Sequence, residues 1–552
     1  MIPHRLTAIL LSLCVTAPLA TAQTDPQPWV ELVQGAHPGV SALVAYDDRI
    51  WFAQSDPFEN ANIANVWSYD PGAGESQFER ALFSQDVGDP LAWDGRLFWP
   101  FEDPRRSTGR GEFAVVDAER RWAWGTFQVG RAFHVHTLGR CQGALMAGTG
   151  AFDGELLRSQ DDGRAWALAG AVKPEAAPFA RVVSITEVSG RCFLGTLANR
   201  DPRSKVMEWT TAGIVAVPGG PTGNRADKLV GFDGRLFALS GGRIWRFDTG
   251  AEVWADRAAP ARGPRAFSAH DGVLWLVTGR SGQGALWRSA DGETWAAVQR
   301  FDQTPISVLA TDIGVFVGTY DRADGGRLWG PEPGATRVET PSVIASQDWP
   351  PTAGPSAVTN ITAIQKALAA EPPDWRVALS RILEVSEAAA YGFGPRAGEA
   401  LTALLDQPLP AGTIDTGRGG ALPAGPLLHW ALLSQAASLQ GGRVPVTLLR
   451  ASWITPDNSR QKYFDPILAA ILAVGWVGQD DPATLDALID RLEAGADPEW
   501  LADDVAGALG ALSGVYFATD AEAWRTWFVE RFGGDGSESP VVFPGPAGRF
   551  GD

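Results

Sequence analysis

The chain predicts a multidomain β plus α protein: a seven-bladed β-propeller followed by a small α-helical (HEAT-like) domain. Three observations lead there. An apolar run, a tight turn and a second apolar run recur seven times, with successive turns about 40 to 50 residues apart, the length of a four-stranded blade. The composition, 23 Trp and 63 Gly against 3 Met in 552 residues, favours strands, turns and aromatic anchors. Beyond Gly334 the apolar period shifts from that of a strand to that of a helix.

The N-terminus comes first. Residues 1–22 combine a basic start at His4-Arg5, an apolar stretch and Ala20-Thr21-Ala22 before Gln23, the pattern of a cleaved secretory signal. The mature chain is expected to be soluble and periplasmic or secreted. Beyond the signal no stretch reaches the roughly 18 apolar residues of a membrane span; the run 467–477 is short and follows Pro466.

The propeller is expected over 29–340. The second strand of each hairpin is read at 49–52, 96–99, 144–147, 192–195, 235–238, 273–276 and 315–318. The turns before them include Asp94-Gly95, Asp233-Gly234 and Asp271-Gly272, which supply the positive φ of two-residue hairpins; the third turn is read within 139–143. A third strand follows at 65–68, 112–115, 155–158, 205–208, 243–246, 285–288 and 327–330. A fourth often opens with Trp, as at Trp166, Trp254 and Trp295. Residues 29–34 resemble 295–299, so they are read as completing the last blade and fastening the ring, with 336–339 competing for that edge.

Residues 341–357 read as a Pro-rich linker. Helical periodicity then runs over 358–533, with helices expected at 396–405, 427–439, 465–477, 484–492, 500–512 and 521–532. Thr519-Asp-Ala-Glu522 reads as a capping box for the last of them. The Gly/Ser/Pro-rich segment 534–552 reads as a flexible tail.

Two segments carry a resemblance. Residues 159–166 (Ser-Gln-Asp-Asp-Gly-Arg-Ala-Trp) and 289–295 (Ser-Ala-Asp-Gly-Glu-Thr-Trp) are similar to the Asp-box, or BNR repeat, of sialidase-like propellers. Degenerate copies stand at 68–72 and 248–250. The first copy has Ala165 where the family has Thr, and the second is one residue short. The resemblance covers about 30–345 and implies a folding element distant from the active face. The run 505–514, followed by 520–527, resembles HEAT-type repeats, whose small residues let helices stack closely.

The charge balance is 46 basic against 64 acidic residues, a net of −18; such a surface repels phosphate, so no nucleic-acid partner is expected. Cys141 and Cys192, the thiols left after signal removal, are expected to form a disulfide in an oxidising compartment. Two unpaired buried thiols remain the alternative.

No catalytic signature is present: no His-Glu-x-x-His, Gly-x-Ser-x-Gly, Cys-x-x-Cys or phosphate loop. No catalytic residue, metal site or cofactor is therefore assigned. His134 and His136 share one strand face, as metal ligands would. Matching Arg131-Ala-Phe-His-Val-His136 to Arg265-Ala-Phe-Ser-Ala-His270 instead puts His136 in a spacer slot held elsewhere by Tyr46, Trp93 and Phe232. The same match sets Arg131, Arg181 and Arg265 at the channel mouth, where converging guanidiniums hold a carboxylate or sulfate. Against this, each arginine has acids within reach of pairing: Glu102, Asp103, Asp153, Asp201 or Asp321.

The functional expectation is an exported, non-catalytic binding or scaffold protein with a protein or glycan partner. The alternative is a sialidase-like glycan hydrolase working at the top face, where Tyr320 is the only top-loop tyrosine. It requires a pair of carboxyl groups from the top loops.

Overall fold

The computed structural model describes residues 29–334 except 59–62, 105–110, 121, 128–131, 133, 151–152, 161–162, 164–165, 174–178, 199–200 and 211. It also describes 357–382 except 372, 375–376 and 380, scattered positions between 404 and 432, and 466–533 except 478–481, 496 and 498. The segments expected to be a signal (1–22), a linker (341–356) and a tail (534–552) lie outside these residues.

After β1 (Trp29–Gln34), the chain forms consecutive antiparallel sets of strands. The first is β2 (Gly39–Tyr46), β3 (Arg49–Ser55), β4 (Ala64–Asp70) and β5 (Glu75–Leu82). The second is β6 (Leu91–Trp93), β7 (Arg96–Pro100), β8 (Glu112–Asp117) and β9 (Trp122–Thr126). The third is β10 (His134–Cys141), β11 (Ala144–Gly150), β12 (Glu155–Ser159) and β13 (Ala167–Ala171). The fourth is β14 (Arg181–Val188), β15 (Arg191–Leu197), β16 (Val206–Thr210) and β17 (Gly213–Ala216). The fifth is β18 (Lys228–Phe232), β19 (Arg235–Ser240), β20 (Arg243–Asp248) and β21 (Val253–Arg257). The sixth is β22 (Pro264–His270), β23 (Val273–Arg280), β24 (Gln283–Ser289) and β25 (Ala296–Phe301). A last set, β26 (Thr304–Thr311), β27 (Gly314–Tyr320) and β28 (Arg327–Pro331), takes β1 as its outer strand, paired antiparallel with β28.

First strands of neighbouring sets lie side by side: β10 with β14, β14 with β18, β18 with β22, β22 with β26, and β26 back with β2. β2 also touches β6, and β10 packs on β7 and β8. The sheets thus curl around a common middle, and the β domain is propeller-like. β3 and β11 are buried almost throughout, whereas outer strands such as β13, β17 and β21 are half-buried or exposed. That gradient follows from inner strands being sandwiched between neighbouring sheets.

Turn chemistry holds the hairpins. Asp94 and Gly95 (φ 46° and 70°) and Asp271 and Gly272 (φ 45° and 69°) adopt the left-handed pair of a two-residue hairpin. Between third and fourth strands a carboxylate closes its own turn: Asp291 Oδ1 accepts the Glu293 and Thr294 N–H groups at 2.7 Å each. Asp248 and Asp70 do the same for their turns. Trp166 is buried edge-on to Phe127 (4.7 Å between ring centres), joining the second and third sets. Cys141, ending β10, and Cys192, in β15, are joined by a disulfide that ties the third set to the fourth.

The C-terminal helical part contains α1 (Ala357–Leu368), α2 (Pro466–Val477), α3 (Pro482–Ala494), α4 (Glu499–Ser513) and α5 (Ala521–Phe532), with a short ribbon of β29 (Thr413–Asp415) and β30 (Ala421–Pro423). The helices expected at 396–405 and 427–439 lie mostly outside the described residues. The cap of α5 differs from the capping box read in the sequence: Asp520, not Thr519, is the N-cap, its carboxylate accepting the Ala523 N–H at 3.0 Å. A carboxylate there also meets the positive end of the helix dipole, which a hydroxyl does not.

The helical part does not stand apart from the sheets. α4 lies against α2, α3 and β5, and one buried apolar cluster runs from Trp51, Ile63 and Phe83 through Leu472 and Val505 to Trp524. Glycines permit the close approach. A Cβ on Gly507 would stand 2.2 Å from Ile63 Cδ1, and one on Gly475 would stand 2.9 Å from Phe83 Cζ. Tyr516 stacks on His37 at 5.4 Å, and the buried Arg80 donates to the Gly475 carbonyl at 3.5 Å. Burial pushes the Arg80 guanidinium down to about 10.

Candidate functional site

Each hairpin turn sits at one end of its set; the other end of the first strands converges on a mouth around the common middle. Those first strands share a local irregularity. The register with the second strand slips at Ser41–Ala42 in β2, His136 in β10, Val183 in β14, Arg265 in β22 and Ile306 in β26. A bulge leaves its extra residue out of the ladder and re-aims the side chain. Three of these residues reach mouth groups: Ser41 donates to Asp86 Oδ1 at 3.1 Å, His136 faces Glu102, and Arg265 covers Phe58.

This register corrects the alignment of His136. The turn of the third hairpin is Gln142-Gly143 (φ 50° and 73°), so Cys141, not His136, stands where Tyr46, Trp93, Phe232 and His270 stand, immediately before the turn. The spacer role falls away because matching 131–136 to 265–270 sets the two strands five residues out of register: β10 and β22 carry the same bulge, at His136 and Arg265, and only the turn at Gln142-Gly143 fixes their alignment. His136 is instead at the level of Arg265. Arg131 lies outside the described residues.

The densest part of the mouth gathers around Glu102. Its Oε1 lies 3.5 Å from His136 Nδ1, 3.7 Å from His134 Nδ1 and 3.6 Å from Arg181 Nη1. The imidazoles stack at 5.4 Å. His136 Nε2 is buried without a hydrogen-bond partner among the described residues. Burial, reinforced by Asp86 and Asp103 and opposed by Arg181, pushes Glu102 up to about 7. Burial and Arg181 push His134 down to about 4; burial, Arg181 and His134 hold His136 well below its ordinary value. Asp86 is pushed up to about 6 by burial, opposed by the hydroxyls of Ser55 and Ser41, the Val87 N–H and Lys228. At neutral pH both imidazoles are therefore uncharged and Glu102 is partly protonated. Among the described residues, no group of three His, Cys, Asp or Glu side chains is arranged to hold a metal ion.

Around this centre, charges pair across sets. Lys228 on β18 is salt-bridged to Asp89, which precedes β6, so the second and fifth sets are linked across the middle. Arg225 pairs with Asp227. Arg265 donates from Nε to the Gly279 carbonyl at 3.3 Å, and its guanidinium lies 5.5 Å from the Phe58 ring centre. Among the described residues it has no ion pair, and burial together with Arg225, opposed by Asp227, pushes its pKa down. Phe58 is 52% exposed and meets Tyr320 edge-on at 4.8 Å. Tyr320 Oη donates to Asp56 at 3.3 Å.

Of the acids considered as arginine partners, Glu102 faces Arg181. Asp201 binds Arg203 at 2.7 Å, whose hydrogen bond holds it down at about 2. Asp321 closes its own turn through Ala323 and Asp324. Sequence reasoning missed Asp86, Asp89, Lys228 and Phe58. The basic residue opening β18 was a signal of the same kind as Arg181, but a search confined to arginine passed over it.

The Glu102 cluster has a pH consequence. A carboxyl raised from its ordinary value to about 7 contributes stability that is complete below pH ~4.5 and lost as pH rises through 7. Glu102→Gln should therefore match the parent near pH 4 and exceed it by about 3 kcal/mol near pH 8, as read from urea midpoints. A difference independent of pH would contradict the burial of Glu102 as an acid.

No family model matches the chain. No curated protein matches it either. Similar solved structures include a chain of a mitotic checkpoint complex, 12% identical, covering 60% of this chain and 98% of that one at a TM-score of 0.38. The extracellular domain of a protein designated a one-component system from B. thetaiotaomicron is 13% identical, with 55% of this chain and 40% of that chain covered, at a TM-score of 0.40. A luciferin-regenerating enzyme is 11% identical, covering 47% of this chain and 94% of that one at a TM-score of 0.35. Likeness at this level says nothing about what this chain binds.

Proposed function

We propose that this is an exported, non-catalytic binding or scaffold protein that engages a protein or glycan at the mouth of a seven-bladed propeller. In this reading the signal spans 1–22, the propeller 29–340, the linker 341–357, the helical domain 358–533 and the tail 534–552, and the protein works in the periplasm or outside the cell. The carboxylate-closed turns at Asp70, Asp248 and Asp291 support kinship with Asp-box propellers. The small-residue packing of α4 supports a HEAT-like helical end.

One observation carries the binding reading. Arg265 is placed by a bulge, clamped by a backbone carbonyl and stacked on an exposed aromatic ring, yet forms no salt bridge among the described residues, the nearby Asp227 carboxylate being paired with Arg225. A guanidinium so oriented presents a ready fork to an anionic or hydroxyl-rich group, and Phe58 presents an apolar platform beside it. Arg181, 3.6 Å from Glu102, is the second arginine of the proposed site; Arg131 is not carried into it, because His136 stands at the level of Arg265. Glycan-array and envelope-extract binding by the full chain should fall about tenfold or more in Phe58→Ala/Arg265→Ala, the loss of a charge-assisted hydrogen bond together with an aromatic platform. Unchanged binding by the double variant would remove the mouth from consideration.

The hydrolase reading keeps one supporting observation: Glu102, held near 7, has the pKa of a general acid for neutral pH. Turnover of aryl-glycosides that disappears in Glu102→Gln would replace the binding reading with this one.

A further inference from the structure

The opposite end of the β domain, beside the hairpin turns, holds an open groove of about 540 Å³ between the second, third and fourth sets. Its apolar wall comes from Leu91 on β6, Leu138 on β10 and Ile185 on β14. Gly139 lets β10 and β14 approach closely, since a Cβ there would stand 2.7 Å from Ile185. The left-handed turns Gln142-Gly143 and Ser189-Gly190 form the rim, and Gln142 Nε2 donates across it to the Gly190 carbonyl at 3.4 Å. The Cys141–Cys192 disulfide joins the strands bearing these turns, so the groove has a covalently fixed wall.

Two charged groups face the groove, and they differ. Glu187 is already engaged, accepting the Gln142 N–H at 2.7 Å. Arg140 lies over the Trp93 ring at 5.2 Å and, among the described residues, makes no ion pair. Stacking fixes the guanidinium plane while leaving its N–H edge available, and that edge matches a carboxylate in bidentate geometry. The volume lies within the ordinary range for small-molecule sites.

We infer that this groove binds a small amphipathic carboxylate, its aliphatic part against Leu91, Leu138 and Ile185 and its carboxylate on Arg140. Glu187, on the other side, repels the carboxylate and so sets which end of the ligand meets which wall. This site is separate from the mouth and does not depend on the binding reading given there.

Calorimetric titration of the full chain with octanoate, 1-octanol and octylamine tests it. Octanoate should bind at least tenfold more tightly than octanol, and octylamine should not share that gain, because Glu187 rather than Arg140 would take its ammonium. Arg140→Ala should erase the preference for octanoate over octanol, and Arg140→Lys should restore part of it, because an ammonium keeps the charge but not the fork. Arg140 is exposed, so neither variant threatens the fold. Equal affinity for octanoate and octanol, absence of octanoate binding at millimolar concentration, or a preference that survives Arg140→Ala would overturn the inference. Phe58→Ala/Arg265→Ala should leave octanoate binding unchanged, which keeps a failure here distinct from a failure at the mouth.

Discussion

Phe83→Ala is expected to lower stability by about 3–5 kcal/mol, the cost of emptying a large aromatic site, and to loosen the helical part from the sheets. Phe83 is fully buried and lies where Gly475 of α2 and Gly507 of α4 come closest to the first set. The glycines leave no flexible side chain to collapse into the space, so most of the cavity persists. Urea unfolding measures the loss; limited proteolysis should show the helical part cut first. A companion variant tests the same contact from the other side. Gly507→Ala gains about 1 kcal/mol of helix propensity at an ordinary exposed position, yet here its methyl would meet Ile63 at 2.2 Å and the net effect should be destabilising. Stability within 0.5 kcal/mol of the parent for both variants, roughly the spread of surface changes, would mean that the helices do not lean on the first set.

Removing the disulfide by Cys141→Ser/Cys192→Ser is expected to cost about 4 kcal/mol, the loop-closure entropy of a cross-link spanning 51 residues. Both sulfurs are buried between the third and fourth sets, so the serine hydroxyls add an unsatisfied-polar penalty to the entropic loss. Cys141→Ala/Cys192→Ala separates the two contributions, since it removes the bond without adding hydroxyls. Chemical denaturation of the oxidised parent and both double variants gives the comparison. A loss below about 1 kcal/mol in the alanine pair would show that the unfolded chain is already restrained across this loop.

Much of the β domain was legible because its signals are local. A two-residue turn with left-handed φ announces itself through Asp-Gly, and apolar alternation marks the strands that flank it. The hairpins at Asp94-Gly95, Asp233-Gly234 and Asp271-Gly272 stand where such pairs occur. The likeness of 29–34 to an outer strand pointed to β1, which pairs with β28. The candidate site was harder to read. Arg181 and Arg265 stand at the starts of first strands as expected, but the third hairpin was misaligned by five residues, because 131–136 and 265–270 share residue types while the turn at Gln142-Gly143 sets the register. The competing edge segment 336–339 and Arg131 lie outside the described residues.

What the amino-acid order determined by itself was periodicity: where strands alternate, where turns reverse the chain, where the period lengthens to that of a helix. Only the tertiary structure decided that Glu102 would gather His134, His136 and Arg181, that Lys228 would reach Asp89 across the middle, and that glycines of α2 and α4 would admit Ile63 and Phe83. The reason is physical. Backbone turn and strand preferences act over a few neighbouring residues, whereas burial, desolvation and charge pairing depend on which distant segments the curled sheets bring within a few ångströms.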